Sequence, residues 1–153
     1  MVTDIHVMKK AFFLLSILLI SSCKSDDDNP NNPNLTPVNV NFSINLNLPQ
    51  YVNLRVPGGI FEDRTEGRGI KGVVIYNQNN DQFFAYELSD PNLSPSLPCS
   101  NLTVEGSRAS SNCNGNENIY EITSLGQQIK GTGGRPLLPY KAIKEGNTIF
   151  VTN

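Results

Sequence analysis

Apolar and polar residues alternate without a break from Val38 to Leu48. Val38, Val40, Phe42, Ile44, Leu46 and Leu48 fall on one side of the pattern, and Asn39, Asn41, Ser43, Asn45 and Asn47 on the other. A period of two sends successive side chains to opposite faces, so the segment is predicted as a half-buried β-strand with an Asn-rich outer face. Pro49 and the cluster Pro57-Gly58-Gly59 end it. Further strands are expected at 72–77, 82–88, 102–104, 108–110, 119–122, 139–144 and 148–152, separated by turn clusters at 77–81, 112–118 and 145–147. The aromatic residues Phe83, Phe84, Tyr86, Tyr120, Tyr140 and Phe150 lie on these strands and are expected to pack inward. No helical period is sustained beyond the N-terminus, so residues 38–153 are predicted to form a small all-β antiparallel sandwich or barrel.

The first residues follow another pattern. Lys9 and Lys10 precede an apolar run from Ala11 to Ile20, which is too short for a membrane-spanning helix and suits the core of a signal peptide. The run ends in Ile20-Ser21-Ser22-Cys23, which resembles the bacterial lipobox. That resemblance implies a lipoprotein signal peptide over residues 1–22, lipidation of Cys23 and attachment to a membrane through it. Residues 23–37 are rich in Asp, Asn and Pro and cannot bury a core, so they read as a disordered tether. Lys24-Ser25-Asp26-Asp27-Asp28 directly after the cysteine also resembles the surface-export signal of Bacteroidetes lipoproteins, which implies placement at the outer membrane or cell surface.

Composition narrows the chemistry. The 153 residues carry 12 Lys and Arg against 14 Asp and Glu, a formal net charge of −2, which argues against a nucleic-acid partner. The single histidine, His6, precedes Cys23 and is lost with the signal peptide. The remaining chain then has no His general base, no Ser-His-Asp or Cys-His pair and no imidazole ligand. Glu87, Asp90, Glu105 and Glu121 are available for carboxylate chemistry, but nothing in the sequence faces two of them across a cleft. The segment Gly131-Thr132-Gly133-Gly134 leads into Arg135-Pro136 rather than a helix, so it is expected to be a flexible loop and not a phosphate cradle.

With Cys23 assigned to lipid, Cys99 and Cys113 are an even pair in an exported chain, where disulfides persist. Two free thiols on a metal are the competing reading.

The order of the later segments resembles the Rieske domain. Gly72-Val-Val-Ile-Tyr-Asn77 and Phe84-Ala-Tyr-Glu-Leu88 are similar to the strands leading into the first cluster-binding loop. Ser111-Asn-Cys-Asn-Gly-Asn116 and Ile119-Tyr-Glu-Ile122 are similar to the second loop and its following strand. Gly133-Gly-Arg-Pro-Leu-Leu-Pro-Tyr140 and Glu145-Gly-Asn-Thr-Ile-Phe-Val151 resemble the proline-loop region and closing strand. Rieske loops bind a [2Fe–2S] cluster with two Cys and two His. Here the corresponding positions read Asp90, Asn92, Ser111 and Asn114. The resemblance further implies that Cys99 and Cys113 stand near the cysteines that bridge the two loops in cytochrome bc-type members.

The expected product is a lipid-anchored, non-catalytic envelope protein with a Rieske-like fold and no cofactor. Its loops 90–99 and 111–118 would form an exposed polar tip for a protein or glycan partner. The alternative is a Rieske-type [2Fe–2S] electron-transfer protein with non-standard ligation, in which Asp90 and Cys113 contribute. For the anchor, Cys23→Ala is expected to leave an unprocessed precursor that takes up no radiolabelled fatty acid. Unchanged labelling and unchanged mature mass would contradict it.

Overall fold

The computed structural model describes residues 32–36 and 38–153. The signal peptide assigned to 1–22, the lipidation site Cys23 and the first part of the tether lie outside the described residues. Ten strands follow in order: β1 (Asn41–Asn45), β2 (Ile60–Asp63), β3 (Val73–Asn77), β4 (Phe83–Glu87), β5 (Thr103–Glu105), β6 (Arg108–Cys113), β7 (Asn116–Glu121), β8 (Gln127–Lys130), β9 (Pro139–Glu145) and β10 (Thr148–Thr152). They form a six-stranded sheet ordered β1-β10-β9-β4-β3-β2 and a four-stranded sheet ordered β5-β6-β7-β8. Every pairing is antiparallel, as expected from the sequence. The smaller sheet is inserted in the chain between β4 and β9. Those two strands are joined in the larger sheet through Ala85 opposite Tyr140 and Tyr86 opposite Pro139.

The larger sheet curls around one core. Ile44, Ile149 and Val151 enter it from β1 and β10, and Val73, Ile75, Phe83 and Ala85 from β3 and β4. The smaller sheet covers the other face of the β3–β4 ribbon. There Val74 and Tyr86 pack against Leu102, Ala109, Tyr120, Ile122 and Leu137. The ribbon is therefore a middle layer with both faces buried. This is why Val73-Val74-Ile75 and Phe83-Phe84-Ala85-Tyr86 are continuous apolar runs, whereas β1 alternates.

Several expectations need correction. The alternating strand is shorter than 38–48, because the chain turns after Asn45 and leaves Leu48 43% exposed. A 3-10 segment, Pro49–Arg55, follows where only a strand end was expected. Strands β2 and β8 were not anticipated. Each has four residues, and β8 (Gln-Gln-Ile-Lys) is nearly all polar with Ile129 facing water, so neither carries a period. Phe150 is 41% exposed on the outer face instead of packing inward. The turn cluster assigned to 112–118 is a continuous hairpin in which Cys113 pairs with Asn116. Asn114 (φ 55°) and Gly115 (φ 84°) occupy the left-handed region, as a two-residue Asn-Gly hairpin turn demands. Finally, residues 32–36 of the expected tether lie on the domain, with Leu35 buried and Asn32 and Asn34 donating to the Pro91 carbonyl at 2.8 and 3.1 Å.

A middle layer makes consecutive residues equally intolerant. Val74→Ala is expected to cost about 1–3 kcal/mol and Ile75→Ala about 2–4 kcal/mol, whereas Ser43→Ala on the open face should stay within about 0.5 kcal/mol. Urea unfolding measures all three. A Val74→Ala variant as stable as Ser43→Ala would contradict the three-layer arrangement.

Candidate functional site

At the end of β4 the chain enters Ser89-Asp90-Pro91, all buried, although it has left the sheet. Asp90 sets the local geometry. Its Oδ1 accepts the Asn92 backbone N–H at 2.8 Å, the Asx-type turn that an Asp before Pro favours. The same oxygen accepts the Tyr120 hydroxyl of β7 at 2.6 Å. Its Oδ2 accepts the Asn118 amide of β7 at 2.9 Å and the Ser111 hydroxyl of β6. Four donors thus meet the four lone-pair sites of one fully buried carboxylate. Among the described residues no cation pairs with it.

A second tier of amides extends outward from this centre. Asn92 donates to the Tyr120 oxygen at 2.9 Å and clasps the Arg135 backbone, accepting its N–H and donating to its carbonyl, both at 3.1 Å. Asn118 Oδ1 accepts the Thr132 N–H at 2.9 Å and the Gln128 amide at 3.2 Å. Gln128 in turn accepts the Gly134 N–H at 2.7 Å. The segment expected to be a flexible loop, 131–134, is therefore held by the Asn118 and Gln128 amides, and Arg135 directly after it by that of Asn92. Its glycines allow the approach: a Cβ at Gly131 would sit 2.0 Å from Asn118 Oδ1, and one at Gly133 2.2 Å from Asn92 Oδ1.

A parallel device lies three residues upstream. Glu87, also fully buried, accepts the Ile70, Lys71 and Ser89 backbone N–H groups at 2.7, 2.8 and 2.9 Å and the Tyr140 hydroxyl at 2.6 Å. Burial and the neighbouring Glu87 push the Tyr140 phenol well above its ordinary range. Burial, then Asp90, does the same to Tyr120. Burial pushes Tyr86, beneath the smaller sheet, up to about 12.

Of the four residues that the sequence resemblance singled out, Asp90, Asn92, Ser111 and Asn114, the structure brings Asp90 and Ser111 into direct contact. Asn92 joins them directly through its backbone N–H to Asp90 and, through its side-chain amide, by way of Tyr120. Asn114 is not part of the group, since it sits exposed in the hairpin turn. Cys99 and Cys113 form a disulfide with Cα atoms 5.4 Å apart, fastening the short 3-10 turn Pro98–Ser100 to the end of β6. Closing a loop of this length stabilises by about 3 kcal/mol. The tip pictured as exposed loops is thus partly interior: Asp90, Ser111 and Asn118 are all buried. Sequence reasoning missed Asn118, Gln128 and the bonded role of Tyr120. The placing of Asn118 and Tyr120 on alternate positions of one strand was the available signal. Among the described residues no three His, Cys, Asp or Glu converge.

No family model and no curated protein matches the chain. Among solved structures it is similar to a chain from a complex of reduced oxygenase and oxidized ferredoxin in carbazole 1,9a-dioxygenase. The TM-score is 0.41 and the identity 18%, over 63% of this chain and 82% of that one.

The three raised tyrosines couple stability to alkaline pH. Each stays protonated in the folded state at a pH where an unfolded-chain tyrosine, with a pKa of about 10, ionises. The unfolded state then binds fewer protons than the folded one, so stability is intact below about pH 10 and falls as pH rises beyond it. Unfolding free energies should decline above that point, with tyrosinate absorbance of Tyr120 and Tyr140 appearing only as the protein unfolds. Tyr120→Phe should flatten the decline while lowering stability at pH 7 by about 1–3 kcal/mol, because Asp90 loses a donor. An unchanged alkaline slope would contradict the assignment.

Proposed function

We propose that this chain is a non-catalytic, lipid-anchored envelope protein whose β domain keeps a Rieske-like arrangement with hydrogen bonds where cluster ligands would stand, and that it works as a binding or accessory module. The observation that carries the reading is the saturation of Asp90. A ligand position whose lone pairs are all engaged by Asn92, Ser111, Asn118 and Tyr120 has no electron pair free for a metal. Its counterpart Ser111 is engaged in the same contact. The four aligned positions do not fit a [2Fe–2S] group: a carboxylate, a hydroxyl and two amides replace the soft thiolates and imidazoles that such a cluster takes. Asn114, in the hairpin turn, belongs to a different place altogether.

The lipobox-like Ile20-Ser21-Ser22-Cys23 and the acidic segment behind it support the membrane anchor and an outer-membrane or surface address. For a partner, the accessible part of the former ligand end is residues 94–98 together with the hairpin tip at Asn112 and 114–116. These neighbouring segments are tied through the Cys99–Cys113 bridge and stand on a saturated polar interior. Exposed polar loops on such a support are suited to recognising a protein or a glycan.

Purified full-length protein is expected to be colourless and free of iron after expression with iron and sulfide supplied. Visible absorption together with near-stoichiometric iron and acid-labile sulfide would overturn the reading and favour electron transfer. Retention of that colour in Asp90→Ala would further exclude Asp90 as a ligand.

A further inference from the structure

The opposite end of β4 opens onto a separate groove of about 290 Å³. Leu46, Leu54 and Phe83, all buried, line its interior, and the exposed Asn47, Asn80 and Asn147 carry amides around it. Three turns build the walls: the one after β1, the β3–β4 connection and the β9–β10 hairpin. The Leu46 N–H donates to the Asn147 carbonyl at 2.8 Å and fastens two of these walls together.

Two cations and no acid complete the lining: Arg55 and Lys144. In a chain with more acidic than basic residues, their convergence on one concave surface is a local excess of positive charge. Arg55 is aimed by its own backbone contacts. Its Nε donates to the Leu46 carbonyl at 2.6 Å and its Nη2 to the Leu48 carbonyl at 3.3 Å, neither of which engages Nη1. Lys144 is three-quarters covered, and its partner Asp81 lies 3.5 Å away with 93% of its side chain in water. Such a pair contributes little, so an incoming carboxylate can replace it.

We propose that this groove binds a small hydroxylated carboxylate of the uronic-acid type. The carboxylate would meet Arg55 and Lys144 in charge-assisted hydrogen bonds. The ring would lie over the accessible edges of Leu46 and Phe83, and the three Asn amides would pair with hydroxyls, for which a neutral group that both donates and accepts is suited. The volume is at the lower end for small-molecule sites, about 300 Å³ upward, so it takes one sugar ring and not a chain. This site is independent of the Asp90 end and of the function proposed for it.

The test titrates glucuronate into the full detergent-solubilised chain, following amide resonances, with glucose and acetate as controls. Glucuronate should give saturable shifts centred on Leu46, Asn47, Asn80 and Asn147, and each control should bind at least about tenfold more weakly, since each lacks one of the two sets of contacts. Lys144→Met should weaken glucuronate by about tenfold with an unchanged melting temperature, and Lys144→Arg should restore it to within about threefold. Arg55 is left intact because it also holds the Leu46 turn. Absence of saturable shifts, equal binding of either control, or unaltered affinity in Lys144→Met would each overturn the proposal.

Discussion

Two fully buried carboxylates, with no cation paired to either among the described residues, are the constraint on which the rest of this structure depends. An ionised group removed from water is destabilising unless its lone pairs are filled, and Glu87 and Asp90 are each filled by four donors. Because those donors come from different parts of the chain, satisfying the two charges assembles the fold. Glu87 draws the segment before β3 and the Tyr140 ring of β9 onto β4. That ring stands beside the two residue pairs that join β4 to β9. Asp90 draws β6 and β7 of the smaller sheet to the same strand end. Losing a single donor leaves a buried acceptor unfilled, at about 1–3 kcal/mol, so the network is cooperative by construction.

The inserted sheet is consequently attached in three chemically different ways. Apolar packing covers the Val74 and Tyr86 face of the middle ribbon. The Asp90 network fixes register, since each donor reaches one particular oxygen. The Cys99–Cys113 bridge restrains the unfolded chain by closing the loop that contains β5 and β6. Asn92, Asn118 and Gln128 carry the polar network outward to the glycine-rich segment and Arg135, so this loop is tied to the domain although it has no secondary structure of its own. Charged surface pairs matter less. Arg108 with Glu121 and Lys130 with Glu117 face solvent, where such pairs contribute at most about 1 kcal/mol.

The two ends of β4 differ in kind, and that difference organises the functional reading. At the Asp90 end the carboxylate oxygens and the amides of Asn92, Asn118 and Gln128 already have internal partners, which suits a support for exposed loops. At the Phe83 end Arg55 and Lys144 have capacity left beside an apolar surface, which suits a ligand.

Local pattern by itself determined the strand class of β1, the positions of β3, β4, β9 and β10, and the availability of Cys99 and Cys113 for pairing. Each of these is written in neighbouring residues: alternation, apolar runs bounded by turn residues, or the count of thiols. Asn114-Gly115 also announced its hairpin locally, but reading 112–118 as a loop obscured it. The tertiary structure alone decided that Asp90 is an interior anchor, that Glu87 is another, and that Leu48 and Phe150 face outward. Ser111, Asn118 and Tyr120 stand 21, 28 and 30 residues from Asp90, and Tyr140 stands 53 from Glu87. A carboxylate's worth depends on which donors fold onto it, and donors that distant leave no periodic trace in the chain.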